Sequence, residues 1–268
     1  MKKSILIFSV VILALLSIVI SIMYLSDAQL KTLEISESEN MAMSNSELDK
    51  ITNRIFADFI YDVGPRFNPI KKSKLETIKS FNDLLDEEHA QRIIDYQSVS
   101  VVVIINDEKS EVHETSNSGE FTEAQIKLMQ SSNYSTNLLI SADFQEKNKE
   151  NGAFEGVHWT PYLTVVPEKQ AEYFYGKDAL KKYLKENSED ARINVIAEKL
   201  QPAKLYFTVT KKGTIENVRL DRTSYYPEVD ERMIELITNL SGKWLPAENK
   251  KGEKVDQELV VSFGLLGC

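Results

Sequence analysis

Near the N-terminus lies an uncharged apolar segment long enough to span a membrane. Residues 4–26 read SILIFSVVILALLSIVISIMYLS and contain no charged side chain. A run of this length can cross a lipid bilayer as one helix. Lys2 and Lys3 precede it and Asp27 follows it, so the positive-inside rule predicts a cytoplasmic N-terminus and an exported remainder. We therefore predict a single-pass inner-membrane anchor over residues 1–26, with the C-terminal part in the periplasm.

A cleaved signal peptide is the alternative to a retained anchor. Ser26-Asp27-Ala28 has the small-x-small pattern that signal peptidase accepts. The apolar part of a signal peptide usually spans about 7 to 15 residues, which is shorter than the segment here. The length favours the anchor, while the cleavage pattern keeps the alternative open.

The charge of the chain limits its possible partners, and its cysteine content limits its disulfides. The chain has 268 residues, a formal net charge of -9 and a pI near 5.1. Binding to phosphate backbones needs clustered Lys and Arg, so we expect no nucleic acid as partner. The single cysteine, Cys268, excludes an intramolecular disulfide.

Sequence patterns typical of enzymes are missing. His89, His113 and His158 are far apart and have no metal-ligand spacing. The sequence contains no nucleophile elbow, Walker loop or dinucleotide-binding glycine motif. Trp159 and Trp244 each lie near a proline at a strand end, which favours a packing role over a binding role. We therefore predict no catalytic residue, metal or cofactor, and a protein that is not an enzyme.

Three further segments follow the anchor. Residues 27–46 are polar and are predicted to form a tether. Residues 47–166 mix helical and strand patterns and are predicted to form an α+β or β-sandwich-like periplasmic domain. Residues 167–268 are predicted to form a separate C-terminal domain. The whole exported part is therefore predicted to be of the α+β class.

Helices and strands alternate in the middle domain. A first helix carries Phe59 and Ile60 on its apolar face and ends at Gly64-Pro65. Thr122 and Gln125 form the pattern of a capping box at a later helix start. Besides these, the pattern predicts a helix over residues 82–96 and strands over 99–105, 138–144 and 162–166.

This middle segment resembles the β-sandwich domains at the C-terminus of GldM-like gliding and secretion proteins. The shared pattern is a Gly-x-x-Thr-x-x-Gln helix start, here Gly119, Thr122 and Gln125, between a β-branched strand and a hairpin. The resemblance implies an exported interaction module.

The C-terminal domain has a clear order of elements. Gly176 precedes an amphipathic helix, and Pro227 begins another that Gly242 stops. Lys212-Gly213 turns one strand into the next. The three strands are predicted over residues 205–209, 215–220 and 257–265.

Strand order predicts where a partner docks on this sheet. A helix-containing segment between the second and third strands suits a crossover between parallel strands, which leaves the first strand in the middle. The third strand is then an edge whose residues 259–265 carry no charge, and such edges invite pairing with another chain. We predict that an extended partner segment adds beside it. The alternative is that the N-terminal helix, the C-terminal tail or a second copy covers the edge. The predicted partner-binding residues are Leu259, Val260, Val261, Ser262 and Phe263.

Residues 167–268 resemble the C-terminal domain of the TonB family, in the form common in Bacteroidota-type envelope proteins. The matching features are the helix after Gly176, the Lys212-Gly213 hairpin, Asp230 in the next helix, and Trp244-x-Pro-Ala. The resemblance implies a three-stranded antiparallel or mixed sheet with two helices that binds partners by strand addition.

Two functions follow from the TonB resemblance. One is a transport-coupling protein that binds an outer-membrane receptor and works with an ExbB/ExbD-like motor. The other is an envelope scaffold or sensor that binds another envelope protein without transducing energy. The membrane segment lacks the histidine used for motor coupling, no Pro-rich spacer follows it, and QAEYFYG at residues 170–176 replaces the family's usual entry. These departures weaken the prediction of motor coupling more than the prediction of the fold. The sequence does not determine the oligomeric state.

Overall fold

A computed structural model describes residues 59–240 and 242–265. The chain divides into two units, Met1–Ala57 and Asp58–Cys268, and every described residue belongs to the second. The predicted anchor, the tether and most of the first predicted helix lie outside the described residues. Among the helices that are described, none combines the length and apolar character needed to cross a bilayer. The described unit is a mixed α+β fold rich in sheet.

Short helices are spread among many strands. The strands are β1 (Ile60–Gly64), β2 (Asn68–Lys71), β3 (Ile93–Ile105), β4 (Glu108–Ser116), β5 (Asn137–Lys147), β6 (Phe154–Trp159), β7 (Tyr162–Val166), β8 (Glu172–Tyr173), β9 (Ala203–Val209), β10 (Ile215–Arg222), β11 (Trp244–Leu245), β12 (Ala247–Glu248), β13 (Lys254–Val255) and β14 (Gln257–Gly264). The α-helices are α1 (Lys72–Thr77), α2 (Glu87–Arg92), α3 (Glu123–Ser131), α4 (Lys177–Asn187) and α5 (Pro227–Thr238). Single 3₁₀ turns cover Phe81–Leu84, Asp190–Arg192 and Ala197–Lys199.

The larger sheet is built by the middle of the chain. Its order is β2-β7-β5-β3-β4, and β6 pairs with β5 next to β7. Only β2 and β7 run parallel among these described pairs. Helices α1 and α3 contribute Leu75 and Met129 to the core on one face of the sheet. The strand predicted over residues 138–144 is confirmed: Leu138, Ile140, Ala142 and Phe144 are buried on one face, and Leu139 is buried on the other.

Local signals in this region predicted one helix start correctly and one helix with bounds that are too wide. The capping box is confirmed: Thr122 Oγ1 accepts from the Gln125 N–H at 3.2 Å, and Gln125 Oε1 accepts from the Thr122 N–H at 2.9 Å. The helix predicted over residues 82–96 is confirmed only over Glu87–Arg92, because β3 begins at Ile93. Pairing with β5 extends β3 to 13 residues, and this long-range pairing overrides the helical spacing of the apolar residues.

The smaller sheet contains the predicted C-terminal strands. Its order is β1-β14-β9-β10, and β9 pairs antiparallel with both β14 and β10. β14 and β10 are therefore parallel to each other, as the crossover predicted. Helix α5 packs on β9 and β10, and α4 packs against β1. The predicted apolar stripe of α5 and the turn after it is fully buried, at Val229, Met233, Ile237 and Leu240.

A fourth strand corrects the prediction of a free edge. β1 pairs antiparallel with β14, with Ile60 opposite Gly264 and Gly64 opposite Val260. The sheet is therefore four-stranded and its third predicted strand is not an edge. The prediction that the first helix continues through Phe59 and Ile60 and ends at Gly64-Pro65 is also wrong, because Ile60–Gly64 is a strand. Tyr61 and Val63 are buried while Asp62 is exposed, which is the period of a strand.

β1 also ties the two predicted domains together. It precedes the larger sheet in sequence but pairs in the smaller one. A boundary after residue 166 therefore does not separate the two sheets. A fragment that begins at residue 167 would lack an edge strand of its own sheet.

Candidate functional site

A groove of about 410 Å³ lies at the end of β1. Val63, Gly64 and Pro65 form one side, where the chain leaves the sheet. The segment that leads into α4, from Lys169 to Tyr173, lines it as well. Leu180, Trp244 and Leu259 add apolar surface to its lining. The groove is thus bordered by backbone from two extended segments that are far apart in sequence.

Trp244 is the residue of this groove with an unmet hydrogen bond. It lies in β11 opposite Tyr173 of β8, and its ring centroid is 5.3 Å from that of Phe207 and 5.8 Å from that of Tyr173. The side chain is 6% exposed, yet its indole Nε1 has no acceptor among the described residues. A buried donor without an acceptor costs roughly 1–3 kcal/mol, so a group that accepts this hydrogen bond gains correspondingly.

The position of Trp244 depends on a close backbone contact with Gly213. Gly213 has a φ of +78°, and a Cβ added there would lie 2.5 Å from the Trp244 carbonyl oxygen. The Gly213 carbonyl also accepts a hydrogen bond from the Gly242 N–H at 3.0 Å. Only glycine meets both requirements, the left-handed backbone and the close approach. The predicted hairpin turn at Lys212-Gly213 therefore also holds β11, the strand that carries Trp244, in place.

Exposed aromatic side chains lie next to the groove. Phe174 and Tyr175 follow β8 directly and are 63% and 67% exposed. Their rings meet edge to face at 5.2 Å, and Tyr175 also contacts Tyr173, which lines the groove. Leu245, beside Trp244, adds partly exposed apolar surface. We call Phe174, Tyr175 and Leu245 the aromatic patch. Clusters of large exposed apolar side chains commonly mark interaction surfaces.

Ion pairs fix α4 to β1 beside the groove. Lys177 and Lys181 both reach Asp62 Oδ1, at 2.8 and 3.2 Å. Burial would raise the pKa of Asp62, but the hydrogen bonds and charges of Lys177 and Lys181 outweigh it and hold the pKa below its ordinary value. The carboxylate is thus charged at neutral pH and holds the first turns of α4 against the edge strand.

The structure brings one of the five predicted partner-binding residues to this groove. Leu259 lines it, whereas residues 260–263 lie where β14 pairs with β1. Val261 and Phe263 are buried, and Ser262 is opposite Asp62. Partner binding at residues 259–263 stays a prediction, and it would require β1 to leave the sheet.

The groove could not be predicted from the sequence, because the segments that form it have no distinctive local pattern. Trp244 was expected to pack, and its packing against Phe207 is confirmed, but its unpaired N–H depends on what surrounds it. A usable signal was the run of three adjacent aromatic residues at positions 173–175, two of which belong to the aromatic patch.

A polar cluster outside the groove contains Ser98, Asp143 and His158. Asp143 Oδ2 accepts from the Ser98 hydroxyl at 2.6 Å, and Oδ1 lies 2.6 Å from His158 Nδ1. The hydrogen bonds from Ser98 and then His158 lower the pKa of Asp143. Because the carboxylate stands between hydroxyl and imidazole, the imidazole is not placed to take the proton of the hydroxyl, and this is not the order of a nucleophilic triad. Within residues 59–240 and 242–265, no group of three His, Cys, Asp or Glu residues is placed to hold a metal ion.

Comparisons with protein-family models, with curated proteins and with solved structures found no match to this chain.

Proposed function

We propose that this chain is an envelope protein that binds an extended segment of a partner protein in the groove at the end of β1. The observation that carries the proposal is the groove beside the outer edge of β1, lined by Trp244, whose buried indole N–H has no acceptor among the described residues. The proposed partner is an outer-membrane receptor or another envelope protein. In this proposal the chain is anchored through residues 4–26 and binds its partner in the periplasm. Protein binding is the activity that transport coupling and an envelope scaffold share.

An extended polypeptide fits the chemistry of this groove. Its backbone carbonyls are acceptors of the kind that the indole N–H of Trp244 needs. β1 is the last strand of its sheet, and the described residues form no backbone hydrogen bond to β1 except those from β14. Strand addition to such an edge gives affinity through the main chain. The aromatic patch then contacts the side chains of the bound segment and supplies specificity.

The free space beside Gly64 supports entry at this end of β1. A Cβ added to Gly64 would meet no atom within 4 Å, and the backbone there is not left-handed. Partner addition at residues 259–263 is the less favoured site, because β1 is held there by buried side chains at Tyr61 and Val63. The proposed docking site therefore moves from β14 to the groove, while the binding mode stays the same.

Photo-crosslinking in intact cells tests this proposal. A photoreactive amino acid in place of Tyr175, within the aromatic patch, is expected to form a covalent adduct with one partner protein. The same amino acid in place of Phe154, which is 71% exposed on β6, serves as the control and is expected to give no such adduct. Mass spectrometry then identifies the captured segment.

A matched pair of glycine variants makes the crosslinking decisive. Gly64→Leu fills the groove without backbone strain and is expected to abolish the adduct at position Tyr175. Gly156→Leu adds the same side chain to β6, where a Cβ also meets no atom within 4 Å, and should leave the adduct intact. An adduct that persists in Gly64→Leu would mean that the partner binds elsewhere.

A further inference from the structure

Three cationic side chains converge on one carboxylate where the two sheets meet. Asp107 lies in the turn between β3 and β4, and Asn106 and Asp107 both have left-handed backbone, with φ of 52° and 62°. Arg66 binds Asp107 through two hydrogen bonds of 2.5 and 3.0 Å. Lys204 Nζ and Arg222 Nη2 lie 3.6 and 3.9 Å from the same carboxylate. One negative charge thus faces three positive charges.

Sheet register fixes two of these cations as neighbours. Lys204 on β9 is directly opposite Arg222 on β10 and Ser262 on β14. Ser262 is in turn opposite Asp62 on β1. Directly opposed residues project from the same face of a sheet, so these four side chains form one row. Arg66 approaches that row from the loop after β1.

The cluster has more positive charge than its carboxylates neutralise. Asp107 balances one of its three cations, and Asp62 is already shared by Lys177 and Lys181. This local excess stands out in a chain with a net charge of -9. Arg66 and Lys204 are also poorly solvated, with side chains only 15% and 12% exposed. Burial, followed by the charge of Arg66, lowers the pKa of Lys204. An anion would offset this unfavourable concentration of positive charge.

A cavity of about 260 Å³ opens onto these side chains. Its lining includes Arg66, Lys204, Arg222 and Ser262, together with Asp62, whose carboxylate is paired with Lys177 and Lys181. None of its lining residues lines the groove at the end of β1, so the two sites are separate. Arg66 already binds Asp107 through its Nε and Nη2, so the planar donor pair that matches phosphate oxygens comes from Arg222, and Lys204 adds a point charge. We propose that this cavity binds a phosphate group, either free or carried by a small organic molecule.

A phosphate suits the cavity better than a carboxylate for two reasons. Its charge near neutral pH, between -1 and -2, approaches the uncompensated charge around Asp107. Its tetrahedral oxygens also accept hydrogen bonds from several directions. This suits the cavity, because Arg66, Lys204 and Arg222 lie on separate elements.

Calorimetric titration of the full chain with inorganic phosphate and with glycerol 3-phosphate tests the proposal. Both are expected to bind at low ionic strength if the phosphate group alone is recognised, and only glycerol 3-phosphate if the organic part also contributes. Arg222→Gln and Lys204→Gln should each weaken binding about tenfold, because each removes one charge-assisted hydrogen bond. Arg219→Gln is the matched control. It lies on the same strand but pairs with Glu258 and does not line the cavity.

The test of phosphate binding does not depend on Lys204→Gln, which replaces the more buried of the two side chains. The Arg222 side chain is half exposed, so Arg222→Gln is expected to keep the fold even if Lys204→Gln does not. Failure of the wild-type chain to bind either phosphate compound would overturn the proposal. So would equal affinity in Arg222→Gln and Arg219→Gln, because a general charge effect would then explain the binding.

Discussion

Tyr61→Ala is expected to lower the free energy of unfolding by about 3–4 kcal/mol, as truncation of a large buried aromatic side chain usually does. Tyr61 is 5% exposed, and its ring centroid lies 5.1 Å from that of Phe59. Its hydroxyl is 2.5 Å from Ser188 Oγ, at the end of α4. The substitution therefore removes core packing and a buried hydrogen bond that links β1 to the end of α4. Urea unfolding of the wild-type and variant chains measures the loss.

Tyr61→Phe separates the contribution of the ring from that of the hydroxyl. It keeps the ring and should lose only about 1 kcal/mol, the usual net value of one hydrogen bond. A loss below about 1 kcal/mol for Tyr61→Ala would mean that β1 contributes little to the sheet. The edge of β14 at residues 259–263 would then be open to a partner, as strand order alone predicted.

Asp107→Asn is expected to destabilise the chain by about 2 kcal/mol at neutral pH, because three cations lose their shared carboxylate. Breaking a fully buried ion pair costs about 3–5 kcal/mol. The Asp107 side chain is 28% exposed, so solvent screening reduces that figure. The amide can still accept one hydrogen bond from Arg66 but carries no charge. The remaining positive charges would then repel one another across the two sheets.

The same variant should alter the response of stability to acid. Burial would raise the pKa of Asp107, but the hydrogen bond and charge of Arg66, and then Lys204, outweigh it and hold the pKa below its ordinary value. The folded chain therefore holds the Asp107 proton less tightly than the unfolded chain. The stability contributed by the ionised carboxylate is present above the unfolded pKa of about 3.9 and is lost as pH falls through the lower folded value.

Urea unfolding as a function of pH measures this effect. The difference between the wild-type and Asp107→Asn chains should be largest near neutral pH and should shrink below about pH 4. Asp62→Asn is a suitable control, because its more exposed carboxylate should contribute less than about 1 kcal/mol. A constant difference between Asp107→Asn and the wild-type chain across this pH range would show that the charge of Asp107 is not what stabilises the cluster.

Elements with strong local signals could be predicted from the sequence. Leu205, Phe207 and Val209 alternate with polar or less buried neighbours, and β9 is the result. The capping box of Thr122 and Gln125 needs only residues three apart, and α3 begins there. In both cases the neighbouring residues determine the backbone, so a short window of sequence contains the information.

Elements decided by distant pairing could not be predicted in this way. Phe59 and Ile60 continue an apolar spacing that suits a helix, yet Ile60 begins a strand because β14 offers a partner about 200 residues further along the chain. The groove likewise needs the end of β1, the approach to α4 and Trp244 to meet. The cation cluster depends on where the turn at Asp107 reaches the other sheet. No local pattern in the sequence specifies these meetings.

The indole N–H resonance of Trp244 gives the most direct test of partner binding in the groove. The chain has two tryptophans, so a ¹⁵N-labelled sample shows two indole resonances, and Trp159→Phe assigns them. A synthetic peptide covering the segment captured at position Tyr175 is titrated into the protein. We predict that the Trp244 resonance moves downfield as its N–H gains a carbonyl acceptor, that the Trp159 resonance stays in place, and that Gly64→Leu abolishes the change. A peptide that binds while the Trp244 resonance remains unmoved, or that binds Gly64→Leu equally well, would contradict the proposed site.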